Sequence, residues 1–208
     1  MNYQPMQYIY QSSGKPDAVT LVLLHGTGGD EYDLLSVGRR FGADVSLLGL
    51  RGNVPEGGMP RFFRRKGMGI FDEEDLIFRT HELVSFIQET AAKEKFDLRR
   101  LVAVGYSNGA NIAGSTLALY PGFLAGAILF RPMQPFRQMP EIAAVGRIPV
   151  FMSNGSADPT IRAADTEWYV ALLQQAGYDI SSHTLSAGHE LTPADLQLAV
   201  AWYRQHFQ

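Results

Sequence analysis

Short apolar runs alternate with longer amphipathic runs along most of the chain. The apolar runs have the length of strands, whereas the longer runs repeat apolar side chains at helical spacing. Strands are predicted over 19–24, 45–50, 101–106, 125–130, 150–153 and 180–185, and helices over 72–91, 107–120, 162–176 and 193–206, with 51–71 irregular. This regular alternation predicts an α/β fold in one domain over 1–208, with a mostly parallel sheet and helices on both faces.

Composition narrows the class of protein. The 208 residues are 46% hydrophobic and 19% charged, which is typical of a soluble globular protein. The net charge of −3 argues against a general attraction to nucleic acid or anionic membranes. The lack of cysteine excludes disulfides and thiolate metal sites, and it suits a cytoplasmic location. We see no signal peptide and no apolar run long enough to span a bilayer.

A G-x-S-x-G pattern is the clearest chemical signal. Gly105-Tyr106-Ser107-Asn108-Gly109 lies between the predicted strand 101–106 and the helix that follows it. This is the setting of a nucleophile elbow, in which a sharp turn projects the central serine above the sheet edge. The two glycines would let strand and helix approach closely. An ordinary strand-to-helix turn is the alternative interpretation.

A serine nucleophile needs a base, and the base needs an orienting acid. Residues at the carboxyl ends of parallel strands share one edge of the sheet. His189 follows strand 180–185 across a short loop, so it is the predicted base, with a structural loop histidine as the alternative. Asp158 follows strand 150–153 and is the predicted acid, although Asp158-Pro159 could simply start a turn. The chain order Ser107, Asp158, His189 is that of α/β-hydrolases.

An oxyanion hole would complete this chemistry. The residue after the nucleophile supplies one backbone N–H, here Asn108, and the loop after the first strand supplies a second, predicted at Thr27. The glycines of that loop do not form the G-x-G-x-x-G pattern of dinucleotide binding, because Glu31 stands where the third glycine is required.

These residues resemble the phospholipase/carboxylesterase family of α/β-hydrolases, which includes acyl-protein thioesterases. The resemblance covers nearly the whole chain and rests on segments 24–30, 105–109, 154–159 and 188–190. Segments 51–54, 59–65 and 71–76 resemble a bacterial subgroup linked to hydroquinone and quinone stress. The resemblance implies Ser107 as nucleophile, Asp158 as acid, His189 as base and a homodimer as a candidate assembly. Asn108 departs from the glutamine that is usual in acyl-protein thioesterases.

The irregular segments near the predicted active edge concern the substrate pocket. The connection 131–147 is too short for a cap domain, so an open and shallow site is expected. Irregular segments at the active edge offer candidate pocket residues, which could equally be local core: Met59, Phe62, Phe63, Met133 and Phe136. The basic run of Arg61, Arg64, Arg65 and Lys66 either offsets the acidic cluster 72–75 or attracts an anionic substrate. His81 is expected to have a helix-surface or structural role, with a position facing the site as the alternative.

The function predicted from the residues is a metal-free and cofactor-free serine carboxylesterase acting on a small-molecule ester. An acyl thioesterase or lysophospholipase is the alternative within hydrolases. A ligand sensor on the same fold is the alternative outside catalysis, although a complete set of candidate catalytic groups argues against it.

Overall fold

The structure, a computed structural model, describes residues 3–67 and 69–208. The strands are β1 Tyr8–Gln11, β2 Thr20–Leu24, β3 Ser46–Leu50, β4 Val54–Glu56, β5 Met59–Arg61, β6 Arg65–Gly67, β7 Ile70–Phe71, β8 Leu101–Tyr106, β9 Gly126–Phe130, β10 Pro149–Gly155 and β11 Asp179–Leu185. The α-helices are α1 Leu35–Gly38, α2 Glu73–Glu94, α3 Asn108–Leu119, α4 Ala163–Gln175 and α5 Pro193–Phe207.

A seven-stranded sheet forms the centre of the molecule, in the order β1-β3-β2-β8-β9-β10-β11. All its neighbouring strands run parallel except β1, which pairs antiparallel with β3 at the edge. Every strand and helix predicted from the hydrophobic pattern is present, with ends moved by a few residues. The prediction of an α/β-hydrolase fold is therefore confirmed.

Three parts of the chain differ from the prediction, and one of them is the short helix α1 at Leu35–Gly38, which was not predicted. The segment 51–71 is not irregular, since β4 pairs with β5 and β6 pairs with β7 as short antiparallel strands. Gly57 and Gly58 connect β4 to β5 with φ of 58° and 83°, the conformation of a two-residue hairpin turn that favours glycine. The edge strand β1 was also missed, because all four of its residues are half-buried and lack a clear apolar alternation.

The central strands are buried on both faces, which explains their continuous apolar sequences. Along β2, Val22 and Leu24 belong to the core beneath α2, α3 and α4, whereas Leu21 and Leu23 belong to the core beneath α1 and α5. The carboxyl ends of the parallel strands therefore form one edge between two helical layers, where residues after each strand can meet.

The connection between β9 and β10 forms neither helix nor strand over 131–148, so in the described chain it adds no helical cap to this edge. None of the helices formed by residues 3–67 and 69–208 combines the length and the apolarity needed to cross a bilayer.

Candidate active site

The turn from β8 into α3 holds Ser107 in a strained conformation. Its φ of 51° and ψ of −112° lie outside the regions that L-residues favour. Two backbone hydrogen bonds hold the turn: the Ser107 N–H donates to Phe130 O at 2.9 Å, and the Asn111 N–H donates to Ser107 O at 3.0 Å. The turn therefore has the geometry of a nucleophile elbow, as the G-x-S-x-G pattern predicted.

Both glycines of the pattern allow close backbone approaches. A Cβ at Gly105 would lie 2.6 Å from the backbone N of Ala110, and a Cβ at Gly109 would lie 1.9 Å from the carbonyl O of Leu24. Such distances are far inside van der Waals contact, and the opposing atoms are backbone. Only glycine therefore allows α3 to start so close to β2 and β8.

The structure brings the three predicted side chains together. His189 Nε2 lies 2.9 Å from Ser107 Oγ, and His189 Nδ1 lies 2.7 Å from Asp158 Oδ2. The Asp158 side chain is fully buried, whereas 35% of the His189 side chain is exposed. A carboxylate that accepts from Nδ1 leaves Nε2 as an acceptor for the serine hydroxyl, which is the tautomer that a general base requires.

Asp158 is further held by Thr160, a residue that was not predicted from the sequence. The Thr160 N–H and hydroxyl donate to Asp158 Oδ1 at 2.9 and 2.6 Å. Burial raises the pKa of Asp158, but the hydrogen bonds from Thr160 and His189 outweigh it and leave the pKa below its ordinary value. Asp158 is therefore a carboxylate at neutral pH. The signal was present in the sequence, since an aspartate commonly accepts from the residue two positions later.

The loop that carries His189 is anchored through three successive carbonyls. Arg131 Nε donates to Gly188 O at 3.1 Å, and Arg131 Nη2 donates to Glu190 O at 2.7 Å. Between them, the Tyr106 hydroxyl donates to His189 O at 3.0 Å. These donors come from the ends of β8 and β9, so the sheet itself sets the position of the imidazole.

Arg131 is itself held by a buried ion pair. Its Nη1 and Nη2 lie 2.7 and 2.8 Å from the two carboxylate oxygens of Asp195, and both side chains are fully buried. Ser153 and Thr192 also donate to Asp195. Burial raises the pKa of Asp195, but its donors, Arg131 first, outweigh burial and lower the pKa to about 2. The pair ties the His189 loop to the first turn of α5.

The predicted oxyanion donors are positioned at the same cleft. Thr27 and Asn108 line it together with Ser107 and His189. Within residues 3–67 and 69–208, neither the Thr27 N–H nor the Asn108 N–H donates a hydrogen bond to a protein acceptor. Two N–H groups at an elbow and its neighbouring loop can stabilise a developing negative charge on a substrate oxygen.

Side chains from the site also anchor the segment 51–71. Asn108 Oδ1 accepts from the Phe62 N–H at 2.7 Å, and Arg61 Nη1 donates to Thr27 Oγ1. Gly28 N donates to Pro60 O at 2.9 Å. The side chain of Asn108 thus has a structural use that its position after the nucleophile did not predict.

Two other histidines, His25 and His81, make hydrogen bonds within the protein and do not line the cleft. His25 Nε2 accepts from the Gly52 N–H at 3.0 Å, and its Nδ1 lies 2.5 Å from Gly26 O. Burial lowers the pKa of His25, and this hydrogen-bonding pattern is that of a neutral imidazole. His81 Nδ1 lies 2.6 Å from the Tyr120 hydroxyl, and His81 does not line the cleft.

The cleft has a volume of about 370 Å³ and adjoins a second cavity of about 310 Å³. Of the predicted pocket residues, Met133 lines both spaces and Phe136 lines the second. Met59 is exposed and packs near Gly28 instead. Phe62 and Phe63 are fully buried in the core, so the structure does not place them on either cavity, and core packing accounts for both.

The basic residues of 61–66 fall into two groups, one that pairs with the acidic cluster 72–75 and one that lines the cleft. Arg64 pairs with Asp72 and Asp75, and Lys66 also pairs with Asp72, so these two offset the acidic cluster. Arg61 and Arg65 line the cleft instead, and both pair with Glu56. Among the described residues, no group of three acidic or histidine side chains is arranged to hold a metal ion.

Comparison with known proteins gives close relatives. The chain is 46% identical over 202 residues to the protein named "Putative hydrolase MhqD" from Bacillus subtilis (strain 168), covering 96% of this chain and 98% of that protein. The crystal structure of a Bacillus cereus carboxylesterase is also 46% identical and superimposes with a TM-score of 0.94, over 97% of this chain and 95% of that one.

More distant structures share the same fold. A carboxylesterase from Mesorhizobium loti is 29% identical with a TM-score of 0.88, over 96% of this chain and 94% of that one. YahD, solved with malic acid, is 28% identical with a TM-score of 0.91, over 97% and 99%. No protein-family model matches the chain. With these relatives and this fold, the chain belongs to the carboxylesterase-like serine hydrolases of the α/β-hydrolase family.

Proposed function

We propose that this hydrolase cleaves small-molecule carboxylic esters through an acyl-enzyme on Ser107. One observation carries the proposal: a continuous hydrogen-bonded chain runs from Ser107 Oγ through His189 to Asp158, starting at a strained elbow. The names of the relatives, carboxylesterase and hydrolase, support the reaction class. They also favour an enzyme over a ligand sensor.

Each residue has a defined task in the proposed reaction. His189 Nε2 takes the proton from Ser107 Oγ as that oxygen attacks the ester carbonyl carbon. Asp158 fixes the imidazole tautomer and stabilises the imidazolium that forms. The Thr27 and Asn108 N–H groups donate to the negative carbonyl oxygen. His189 then protonates the leaving alkoxide.

A second half-reaction regenerates the enzyme. Water enters the open cleft, and His189 removes its proton as it attacks the acyl carbon on Ser107. The C–O bond to Ser107 breaks, the acid leaves, and Ser107 recovers its proton from His189. The proposed cycle needs no metal and no cofactor, because proton transfer, the N–H donors and the Asp158 carboxylate stabilise the charges that form.

A fluorophosphonate probe tests the assignment of Ser107. We expect the wild type to be labelled at one serine and Ser107→Ala to lose both labelling and ester hydrolysis. Ser156→Ala is the matched control, since Ser156 is exposed on the loop that precedes Asp158. Labelling that survives in Ser107→Ala would refute the proposed nucleophile.

Asp158→Asn tests the acid. The substitution keeps the shape of the side chain and removes the charge that orients His189. From a comparable substitution in a serine protease, we expect kcat to fall by about 10³- to 10⁴-fold with little change in KM. A variant with wild-type kcat would show that another group orients the imidazole.

Substrates that differ in acyl-chain length and in leaving group distinguish ester hydrolysis from thioester hydrolysis. The cleft and the adjoining cavity together are of the size that holds a small ligand. We therefore expect acetate and butyrate esters to be cleaved with higher kcat/KM than palmitoyl thioesters or lysophospholipids. Faster turnover of the long acyl thioesters would overturn the ester assignment.

A further inference from the structure

The charges that line the cleft are unbalanced. Three arginines, Arg61, Arg65 and Arg131, line it together with Ser107. No carboxylate belongs to its lining in the part of the chain that the structure describes. A concave surface of one sign concentrates counter-charged ligands and raises their association rate. The cleft should therefore distinguish substrates by charge.

The three arginines do not contribute equally to the charge of the cleft. Arg131 is fully buried, and Asp195 matches its charge within the protein. Arg61 and Arg65 share one carboxylate, because Glu56 Oε2 lies 3.2 Å from Arg61 Nε and Glu56 Oε1 lies 2.8 Å from Arg65 Nε. Among the described residues, Glu56 is the carboxylate that pairs with both arginines, so the positive charge of this cluster exceeds its negative charge.

Arg65 is the better placed of the two to meet a substrate. Only 3% of the Arg61 side chain is exposed, and it donates to Phe63 O and Thr27 Oγ1. Burial also lowers the pKa of Arg61. The Arg65 side chain is 25% exposed. A guanidinium at the wall of a cleft binds a carboxylate through charge-assisted hydrogen bonds.

We propose that Arg65 selects esters that carry a carboxylate, with Glu56 and Arg61 setting the local charge. The proposal rests on the proposed ester hydrolysis at Ser107 and names the substrate class of that same site. The substrate carboxylate contacts Arg65 while the scissile carbonyl lies at Ser107 Oγ. Arg65 is thus a specificity-determining residue and takes no part in proton transfer.

Two matched substrate pairs test the proposal. On the acyl side, 4-nitrophenyl hydrogen glutarate is compared with neutral 4-nitrophenyl pentanoate. On the alcohol side, 4-acetoxybenzoate is compared with neutral 4-acetoxybenzamide, which has the same single ester bond. The quantity measured is the ratio of kcat/KM for the anionic ester to that for the neutral ester. Differences in intrinsic reactivity cancel when this ratio is compared between variants.

We expect Arg65→Gln to lower the ratio by about tenfold for at least one pair, the size of one charge-assisted hydrogen bond. Arg64→Gln is the matched control, because Arg64 pairs with Asp72 and Asp75 and does not line the cleft. It should leave the ratio within twofold of the wild type. Glu56→Gln should raise the ratio, because it removes the negative charge that the two arginines share.

The proposal is overturned if Arg65→Gln keeps both ratios within twofold of the wild type, or if Glu56→Gln lowers them. Should Arg65→Gln fail to fold, the wild type still decides: raising the salt from 20 mM to 500 mM must slow the anionic esters and spare the neutral ones. Equal salt dependence would refute the proposal. Failure of ester hydrolysis at Ser107 is seen separately, as neutral-ester turnover that survives Ser107→Ala.

Discussion

Replacing Arg131 with methionine breaks the buried ion pair beneath the loop of His189. Methionine keeps much of the volume and removes the charge and all of the donors. Asp195 then loses the contacts at 2.7 and 2.8 Å, while Gly188 O and Glu190 O lose their donors. The carboxylate of Asp195 stays fully buried without its counter-charge.

The size of the expected destabilisation depends on the hydrogen-bond donors that remain around Asp195. Removing one partner of a buried ion pair typically costs about 3–5 kcal/mol, because the other charge stays desolvated. Ser153 and Thr192 still donate to the Asp195 carboxylate in the variant. We therefore expect the lower end, a loss of about 3 kcal/mol in the free energy of unfolding. Fluorophosphonate labelling of Ser107 should also slow, since the His189 loop loses two anchors.

Urea denaturation followed by circular dichroism measures the loss. Arg99→Met is the matched control, because Arg99 is 89% exposed and pairs with Asp97 at the surface. Surface pairs contribute about 0–1 kcal/mol, so this control should unfold close to the wild type. The double variant Arg131→Met/Asp195→Asn should recover at least about 1 kcal/mol relative to Arg131→Met, because no buried charge is left unpaired.

Two results would refute this reasoning. A loss below about 1 kcal/mol for Arg131→Met would show that the buried carboxylate needs no counter-charge. A double variant less stable than Arg131→Met would show that the two residues act through packing, and not through the pairing of their charges.

Two further expectations concern acid stability and the elbow. The pKa of Asp195 is about 2, whereas its ordinary value is 3.8. Because the pKa is lower in the folded state, ionised Asp195 adds about 2 kcal/mol to the free energy of unfolding. This contribution is complete above about pH 4 and is lost as the pH falls toward 2. Urea titrations at stepped pH should show this loss, and Asp195→Asn should unfold with a smaller pH dependence between pH 4 and 2; an unchanged slope would contradict the assignment. Gly109→Ala places a Cβ 1.9 Å from Leu24 O, whereas Gly146→Ala meets nothing within 4 Å. We expect thermal melts to show severe destabilisation or misfolding of the first variant and near wild-type stability of the second, and equal melting temperatures would refute the packing argument.

The pattern of apolar residues predicted most of the fold, because strands and helices each repeat apolar residues at a characteristic spacing along the sequence. Buried parallel strands need continuous apolar runs, and amphipathic helices need apolar residues at 3.6-residue spacing. Elements that lack such a pattern were not predicted. Strand β1 is half-buried throughout, and the strands of the hairpins in 51–71 have only two or three residues each. The turn Gly57-Gly58 was the available signal for one hairpin.

The candidate site followed from one topological rule as much as from motifs. Carboxyl ends of parallel strands share an edge, so Ser107, Asp158 and His189 could be selected before any distance was known. Thr160 was within reach of the same reasoning, since it lies two residues after Asp158. Asn108 shows the limit: its backbone position was predicted, but the acceptor role of its side chain toward Phe62 depends on a segment distant in sequence.

The sequence by itself determined the order of elements, the elbow and the residues that lie at the active edge, because these depend on local periodicity and chain order. Only the tertiary structure decided which neighbours pair across long separations. It divided one basic run into Arg64 and Lys66 on the acidic cluster and Arg61 and Arg65 on the cleft. It also buried Arg131 against Asp195, 64 residues away. Charge and burial at such positions are set by packing between elements, which no local pattern records.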